Sequence, residues 1–255
     1  MTAKQPTPPV SQRVAIVTDA NMHLGPDLAL TLARRGHSLV LGDPTAEVLE
    51  KLHQLDTSFE AVEDVQDLSE PQAVKRLVDT AFSRFGRLDA ACIRTGRIIT
   101  GDILSASAED LNALMSANIA SVFHALQALL PPMVKAGSGQ VVIVTSATGA
   151  RAYPGAALYS ATRAAANMMV KNAALSVAEH GVSVNAIGTN FLEYPGFMNA
   201  TGATDPAVRE KIEAMVPLRR LGQPEEIAHF CATLLDGTNA FQTGQFFSLS
   251  GGWSD

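Results

Sequence analysis

The stretch that decides the fold is Val14-Ala-Ile-Val-Thr-Asp-Ala-Asn-Met-His-Leu-Gly25. Its first four residues are apolar, which is typical of a short parallel strand that is buried on both faces. A turn follows, and residues 28–35 then repeat apolar side chains at helical spacing until Gly36. A second apolar run at 38–41 indicates the next strand. The segment therefore predicts a strand, a tight turn, a helix and a second strand.

The same alternation of short apolar runs and helical patterns continues along the chain. Further strands are predicted at 60–63, 88–93, 140–145, 182–187 and 245–249, and further helices after Asp43-Pro44 and at 70–85, 108–136, 157–180 and 206–215. This alternation indicates a single doubly wound, Rossmann-like α/β domain with a central parallel sheet flanked by helices. We expect the domain to span 14–255 after a flexible N-terminal arm, 1–13. Ligands bind at the carboxyl ends of such strands, so the loops that follow the strands should line the site.

Composition excludes several classes of function. The 255 residues are 47% hydrophobic, and 19 Lys and Arg against 25 Asp and Glu give a net charge of −6. The apolar content excludes a disordered chain, and the acidic balance argues against nucleic acid or an anionic membrane as partner. Cys92 and Cys231 are far apart in the sequence, which predicts neither a disulfide framework nor a metal cluster. Because we find no secretory signal and no apolar run long enough to span a bilayer, we expect a soluble cytoplasmic protein.

Ser146, Tyr159 and Arg163 form the most informative group of polar residues. Tyr159 and Arg163 are four residues apart in a helical pattern, so they share one helix face, and Ser146 follows a predicted strand. A free tyrosine ionises only near pH 10 and is a poor base, but a permanently charged guanidinium beside it favours the phenolate. On spacing alone, a surface tyrosine with an i,i+4 neighbour is the better interpretation. The alternative is a site that moves a proton.

Across nearly the whole chain the sequence resembles the short-chain dehydrogenase/reductase superfamily. Tyr159-x-x-x-Arg163 falls where that family has Tyr-x-x-x-Lys, and the family's serine lies 13 residues upstream. Phe85-Gly-Arg-Leu-Asp89 and the closing glycines at 244–252 also fit. Asn118 matches the asparagine that ordinary dehydrogenases use, although a helix-bending polar residue is the alternative.

Several positions depart from that family's pattern. The family's lysine is Arg163 here, and its Asn-Asn-Ala-Gly stretch is Ile93-Arg-Thr-Gly96. Asp19 and His23 replace two glycines of the turn that approaches a dinucleotide pyrophosphate. A β-carbon at either position would obstruct the phosphate, and the carboxylate of Asp19 would repel it. Asp43 stands where a ribose-binding acid would be, but it also suits a helix N-cap. These departures predict that no cofactor is bound.

A Ser-Tyr-Arg set with an altered nucleotide turn resembles halohydrin dehalogenases, a cofactor-independent branch of the same superfamily. Thr145-Ser-Ala-Thr148 and Ala186-Ile-Gly-Thr-Asn-Phe-Leu192 resemble their serine and halide-pocket segments, although His23 takes the place of an aromatic turn residue. The resemblance implies conversion of vicinal haloalcohols to epoxides plus halide, and the reverse opening of epoxides by azide, cyanide or nitrite. It implies catalysis by Ser146, Tyr159 and Arg163, and a halide site of His23, Thr189, Asn190, Phe191 and Leu192.

Two other functions stay open at this point. One is an NAD(P)-dependent short-chain oxidoreductase that tolerates Arg163 and an altered turn, and the other is a non-catalytic relative that binds a small molecule. The resemblance also implies a homotetramer, and the partners expected are a haloalcohol or epoxide and a small anion, with no nucleic acid and no membrane.

Overall fold

Seven short apolar segments form one parallel sheet, in which the strand order is β3-β2-β1-β4-β5-β6-β7. The structure is a computed structural model that describes residues 13–254. The strands are β1 (Val14–Val17), β2 (Ser38–Gly42), β3 (Phe59–Val62), β4 (Ala90–Arg94), β5 (Gly139–Ser146), β6 (Val182–Thr189) and β7 (Phe246–Leu249). The central strands are wholly buried, as their apolar sequences require. The predicted doubly wound α/β domain is confirmed.

Helices cover both faces of the sheet. They are α1 (Gly25–Arg34), α2 (Ala46–Gln54), α3 (Pro71–Phe85), α4 (Ala108–Met115), α5 (Ser121–Ala136), α6 (Ala157–Val177), α7 (Pro195–Thr201), α8 (Pro206–Met215) and α9 (Pro224–Leu235). Apolar side chains of α1, α2 and α9 form one core layer, and those of α3, α5 and α6 form the other. The order of the strands reverses between β1 and β4, which opens a crevice at their carboxyl ends.

Three local predictions differ from the structure. The helix expected after Asp43 begins instead at Ala46, because the hydroxyl of Thr45 accepts a hydrogen bond from the Val48 amide and caps it. The long helix at 108–136 is interrupted by a π-helical turn at Ser116–Ala120, whereas we expected a bend near its two prolines. Helices α7 and α9 were not predicted: α7 buries no side chain and leaves no apolar period, whereas the period of Ile227, Ala228, Cys231 and Ala232 in α9 was a signal that the prediction missed.

The segment Ala108–Ala136 is long and apolar enough to cross a membrane by length and composition alone. This differs from our expectation that no such stretch exists. Core helices of soluble proteins pass the same test, and here α5 contributes Val122, Ala125 and Leu129 to the core against the sheet. The segment is therefore a core element of the α/β fold.

The two cysteines, which are distant in sequence, are buried in the same core layer. Cys92 lies on β4 and Cys231 on α9, and both are free thiols. Burial, and secondly the neighbouring Cys92, raise the pKa of the Cys231 thiol well above its ordinary value. Within residues 13–254, no cluster of histidine, cysteine and carboxylate side chains is arranged to hold a metal ion.

The predicted arm, 1–13, lies outside the described residues except for Arg13, and for that residue the prediction is wrong. The Arg13 side chain is buried, and its guanidinium donates to the Gln140 side-chain oxygen at 2.5 Å and to the Leu235 carbonyl at 3.0 Å. These bonds join the start of β1 to β5 and to the end of α9.

We expect Arg13→Met to lower the free energy of unfolding by about 2–3 kcal/mol, because hydrogen bonds from a buried charged group are lost and their acceptors stay buried. Urea unfolding followed by circular dichroism measures the change. The control is Arg84→Met, which removes an exposed ion pair with Glu60 and should change stability by less than about 0.5 kcal/mol. Equal effects of the two variants would contradict the anchoring role of Arg13.

Candidate functional site

One face of α6 carries Tyr159, Arg163 and Asn167, which are spaced four residues apart and are all buried. This face packs against the end of β5, where the Thr145 hydroxyl donates to the Asn167 side-chain oxygen at 2.7 Å. Ser146 is the next residue and the last of the strand. The end of β5 and this face of α6 therefore meet around the three residues predicted as catalytic.

The hydroxyl of Ser146 is held by the residue two positions further on. Its oxygen accepts a hydrogen bond from the Thr148 amide at 3.3 Å and lies 2.9 Å from the Thr148 hydroxyl. Across the sheet, Ser146 pairs in register with Thr189 of β6. The Thr189 hydroxyl in turn lies 3.5 Å from Nε2 of His23, in the turn after β1. These contacts connect the loops after β1, β5 and β6.

The guanidinium of Arg163 is buried in a space that only a glycine leaves open. It donates to the carbonyl of Thr95 at 2.8 Å and lies 5.3 Å from the ring centre of Tyr159. A β-carbon on Gly96 would come within 2.2 Å of this guanidinium and within 2.3 Å of the Asn118 side-chain oxygen. Burial lowers the pKa of Arg163, yet arginine keeps its proton. Within residues 13–254 the guanidinium makes no ion pair, and its Nε has no hydrogen-bond partner.

Asn118 connects the loop after β4 to α6. It lies in the π-helical turn between α4 and α5, a kind of turn that is frequent at functional sites. Its side-chain oxygen accepts from the Arg97 amide at 2.8 Å, and its amide nitrogen donates to the Thr162 hydroxyl at 2.9 Å. Asn118 therefore fixes the backbone that carries Thr95, the acceptor of the Arg163 guanidinium.

The turn between β1 and α1 keeps the backbone path that glycines usually provide. Asp19 and His23 both adopt left-handed conformations, with φ of 51° and 55°. Aspartate and histidine are among the residues that tolerate this region best. Gly25 remains where the turn closes on itself, because a β-carbon there would lie 2.0 Å from the Asp19 carbonyl oxygen. The aspartate and the histidine therefore accept the left-handed conformations that glycines usually provide in such a turn.

The side chain of Asp19 forms an ion pair with Arg94 at the end of β4, at an N–O distance of 2.5 Å. The two side chains are 10% and 25% exposed, so the pair is largely shielded from water. The backbone is tied separately, because the Arg94 amide donates to the Thr18 hydroxyl at 2.9 Å. The carboxylate that we expected to repel phosphate is thus neutralised by a partner.

His23 is uncharged at neutral pH. Burial is the main cause that lowers its pKa to about 3, and the charges of Arg94 and Arg163 add to the effect. Its ring meets the edge of Tyr194 at a centroid distance of 5.0 Å. Its buried Nδ1 has no hydrogen-bond partner among the described residues, and the same holds for Oδ1 of Asn21.

The loop after β6 carries the remaining residues predicted to bind halide. Thr189 ends the strand, and Asn190 follows it. Phe191 has a left-handed backbone, with φ of 51°, and its ring packs on Phe197 at 6.2 Å. The side chain of Leu192 is buried in the core. Within residues 13–254 the amides of Phe191 and Leu192 make no backbone hydrogen bond, which leaves them able to donate to a ligand.

Trp253 joins this loop to the loop after β5. Its buried ring lies 5.5 Å from Phe191 and 5.5 Å from Tyr153. The guanidinium of Arg151 lies 4.9 Å from the centre of the indole and donates to the Trp253 carbonyl. The end of the described chain is therefore packed across two of the loops that border the site.

Comparisons with known proteins place this geometry in a family. Residues 21–254 match the profile of a family described as enoyl-(acyl carrier protein) reductase. A 3-oxoacyl-(acyl-carrier-protein) reductase of Synechocystis is 34% identical, over 95% of this chain and 97% of its own length. The chain belongs to the short-chain dehydrogenase/reductase superfamily. A reductase with the same description from Thermotoga maritima is 28% identical, over 94% and 97%. The crystal structure of levodione reductase, which is 27% identical, matches the present structure with a TM-score of 0.86. The match covers 95% of this chain and 98% of the levodione reductase chain.

Membership of the superfamily confirms the broader resemblance and corrects the finer one. The predicted halohydrin dehalogenase, a carbon–halide lyase without nicotinamide, is wrong, because the relatives that match nearly the whole chain are named as reductases. The prediction depended on reading Arg163 and the altered turn as loss of a nucleotide site, whereas the turn keeps its backbone path. The halide role of His23, Thr189, Asn190, Phe191 and Leu192 depended on that resemblance and stays a prediction.

The β1–α1 turn fits the phosphates of a nicotinamide dinucleotide, the cofactor that the superfamily implies. Within the described residues, the backbone amides of Asn21, His23 and Leu24 make no hydrogen bond. Helix α1 begins without a side-chain cap, so its positive end is open to an anion. The unpartnered polar atoms of Asn21 and His23 also fit a polar ligand. Asp19 is the opposing charge in this turn, and Arg94 neutralises it.

Two residues of the site were not singled out from the sequence. In the sequence analysis Gly96 appears only within the stretch that differs from the family's Asn-Asn-Ala-Gly motif. That it makes room for Arg163 can be seen only from the distances in the folded structure. Arg94 lies 75 positions from Asp19, and its opposite charge at the end of a neighbouring strand was the available signal. Because Asp19 and Arg94 are so far apart in the sequence, their local sequence contexts do not predict that they pair.

We expect Gly96→Ala to destabilise the protein by about 2–4 kcal/mol, because a left-handed backbone and a clash with Arg163 and Asn118 are both imposed. For a chain of this size that corresponds to a melting temperature lower by roughly 5–12 °C. Gly101→Ala is the matched control, since a β-carbon there meets no atom within 4 Å. A Gly96→Ala protein that melts with the control would contradict the packing described.

His23 predicts an acid sensitivity with a definite sign. Its folded pKa of about 3 is below the ordinary 6.5, so unfolding takes up a proton between these values. Stability should therefore fall as the pH drops below about 6.5, by up to about 1.4 kcal/mol per pH unit. His23→Gln should flatten this slope between pH 6 and about 4 in urea titrations, whereas His53→Gln, at an exposed position, should leave it unchanged. An unchanged slope in His23→Gln would show that other groups cause the acid sensitivity.

Proposed function

We propose that this chain is an NAD(P)-dependent oxidoreductase that interconverts a carbonyl group and a hydroxyl group in a small molecule. The observation that carries the proposal is the guanidinium of Arg163, which is buried beside the ring of Tyr159 and has no counter-ion among residues 13–254. This pair lies on the face of α6 that packs against the end of β5, the strand whose last residue is Ser146. The reductase names of relatives over nearly the whole chain support the same reaction class.

The residues that would hold the dinucleotide lie along the crevice between β1 and β4. The free amides of Asn21, His23 and Leu24 would bind the pyrophosphate at the open end of α1. Asp43, buried directly after β2, would accept a ribose hydroxyl. Its carboxylate already accepts the amides of Asp64 and Val65, at 2.7 and 3.1 Å, which fixes its position. When bound, the nicotinamide would supply or accept the hydride.

Ser146 binds and orients the substrate oxygen in this proposal. Because its hydroxyl oxygen accepts the Thr148 amide, with the Thr148 hydroxyl 2.9 Å away, its own proton can point to a ligand. A hydrogen bond to a carbonyl oxygen strengthens as negative charge develops there, so the serine stabilises the transition state more than the ground state.

Tyr159 moves the proton. In the reducing direction its phenol donates a proton to the substrate oxygen as that oxygen gains charge, and in the oxidising direction the phenolate removes the hydroxyl proton. Arg163 favours the phenolate through its permanent charge. Asn118 acts through the backbone, because it fixes the loop whose Thr95 carbonyl accepts the guanidinium.

A cavity beside Tyr159 supports a small substrate. Its volume is about 150 Å³, and its walls include Ile99, Leu114 and Ala156, which also pack against the tyrosine. The cavity is lined by apolar residues and by polar ones that include Thr100, Asp102 and Asp110, which suits a compact ketone, aldehyde or secondary alcohol. We also propose a cytoplasmic homotetramer, which the exposed apolar side chains of Phe123 on α5 and of Met168 and Leu175 on α6 support.

The test measures the oxidation of NADH and NADPH at 340 nm with a panel of small ketones and aldehydes. We expect turnover by the wild type and a fall of kcat/KM by about 10²–10⁴ in Tyr159→Phe, because the proton donor is removed. Tyr153→Phe removes the same hydroxyl group from a partly exposed tyrosine near the site and should keep activity within a few-fold.

Two outcomes would contradict the proposal. One is the absence of nucleotide-dependent turnover with every compound of the panel and with either nucleotide. The other is turnover that Tyr159→Phe retains at the level of Tyr153→Phe, since the reaction would then not depend on the buried phenol.

A further inference from the structure

The ion pair between Asp19 and Arg94 stands inside the turn that would bind phosphate. Asp19 follows β1 and Arg94 ends β4, so the pair crosses the crevice between these strands. The fold does not need it to hold the strands together, because the Thr18 amide donates to the Cys92 carbonyl at 3.1 Å and the Arg94 amide to the Thr18 hydroxyl. The side-chain pair is an additional contact.

The surroundings of this pair favour an anion. Arg94 and Arg163 both lie close enough to His23 for their charges to lower its pKa, and His23 itself is neutral. Arg163 makes no ion pair within residues 13–254. The free amides of the turn and the open end of α1 add further positive potential. The carboxylate of Asp19 thus occupies a place where the neighbouring groups would bind a phosphate.

A guanidinium binds carboxylate and phosphate with the same forked set of donors. Because Asp19 belongs to the same chain, its carboxylate is present at a high effective concentration beside Arg94. A phosphate can use the guanidinium only in the fraction of molecules in which the ion pair is open, and the apparent affinity falls by that fraction.

We propose that Arg94 is a phosphate-binding residue of the dinucleotide site and that Asp19 is a built-in competitor of phosphate for it. The inference rests on the proposed function, since it concerns the cofactor of the proposed reaction. In this proposal the carboxylate of Asp19 weakens the binding of a dinucleotide, and the binding depends on Arg94, which lies outside the turn between β1 and α1.

The experiment measures binding and not turnover. NADH is titrated by its fluorescence, and inorganic pyrophosphate by calorimetry, against the wild type, Asp19→Asn, Arg94→Gln and the double variant. Asparagine keeps the shape of aspartate and tolerates the left-handed backbone at this position. Asp19→Gly is a second variant that relieves the left-handed backbone altogether. Circular dichroism and thermal unfolding establish that each variant is folded.

We expect Asp19→Asn to bind both probes at least about 10-fold more tightly than the wild type, because the guanidinium is released for phosphate. The double variant should bind both probes at least about 10-fold more weakly than Asp19→Asn, because it lacks the guanidinium that the single substitution releases. The matched control is Asp79→Asn, which removes the same charge from an exposed ion pair with Lys75 on α3 and should leave both affinities unchanged.

Three results would overturn the inference. They are equal affinities of the wild type and both Asp19 variants, a double variant that binds as tightly as Asp19→Asn, and an equal gain in Asp79→Asn, which would indicate net charge as the cause. Failure of the proposed function is seen separately: a wild type that binds NADH but reduces no carbonyl compound contradicts the reaction, while the change in affinity on removing Asp19 still decides the competition.

Discussion

The buried guanidinium of Arg163 is the interaction on which the site depends. A charge taken out of water without a carboxylate partner is costly and must be offset by fixed dipoles. Here the Thr95 carbonyl and the ring of Tyr159 supply them, Asn118 fixes the loop that carries this carbonyl, and Gly96 leaves room for the guanidinium. The loop after β4, the π-helical turn and α6 must therefore adopt one mutual arrangement before the arginine can be buried.

The parallel sheet brings these parts together because its strands end along one edge. Ser146 and Thr189 become neighbours through the register of β5 and β6, and the turn after β1 reaches them through His23. The crevice at the switch point between β1 and β4 places Asp19 and Arg94 opposite each other. Substitutions at two glycine positions of the turn are tolerated because the new side chains, aspartate and histidine, accept the left-handed backbone.

Much of the fold could be predicted from local patterns, and the finer features could not. The apolar run at 14–17 and the helical pattern at 206–215 match β1 and α8, because the first is continuously apolar and buried and the second is bounded by the Asp205-Pro206 start. The cap of α2 was misassigned, because Asp43 and Thr45 are both capable caps and only the amides of Asp64 and Val65 decide between them. The reaction was misassigned for a related reason: Arg163 and the altered turn fit two branches of one superfamily, and the ion pair of Asp19 joins positions that sequence spacing does not connect.

The position of Trp253 determines the intrinsic fluorescence of the protein. It is the one tryptophan of the chain, and its indole is packed between Phe191 and Tyr153 with the Arg151 guanidinium over its ring. Those neighbours belong to the two loops that border the site, so the polarity around the indole is set by how the loops pack. Its intrinsic emission is therefore a label-free reporter of the packing of these two loops, present in the native protein without any dye or tag.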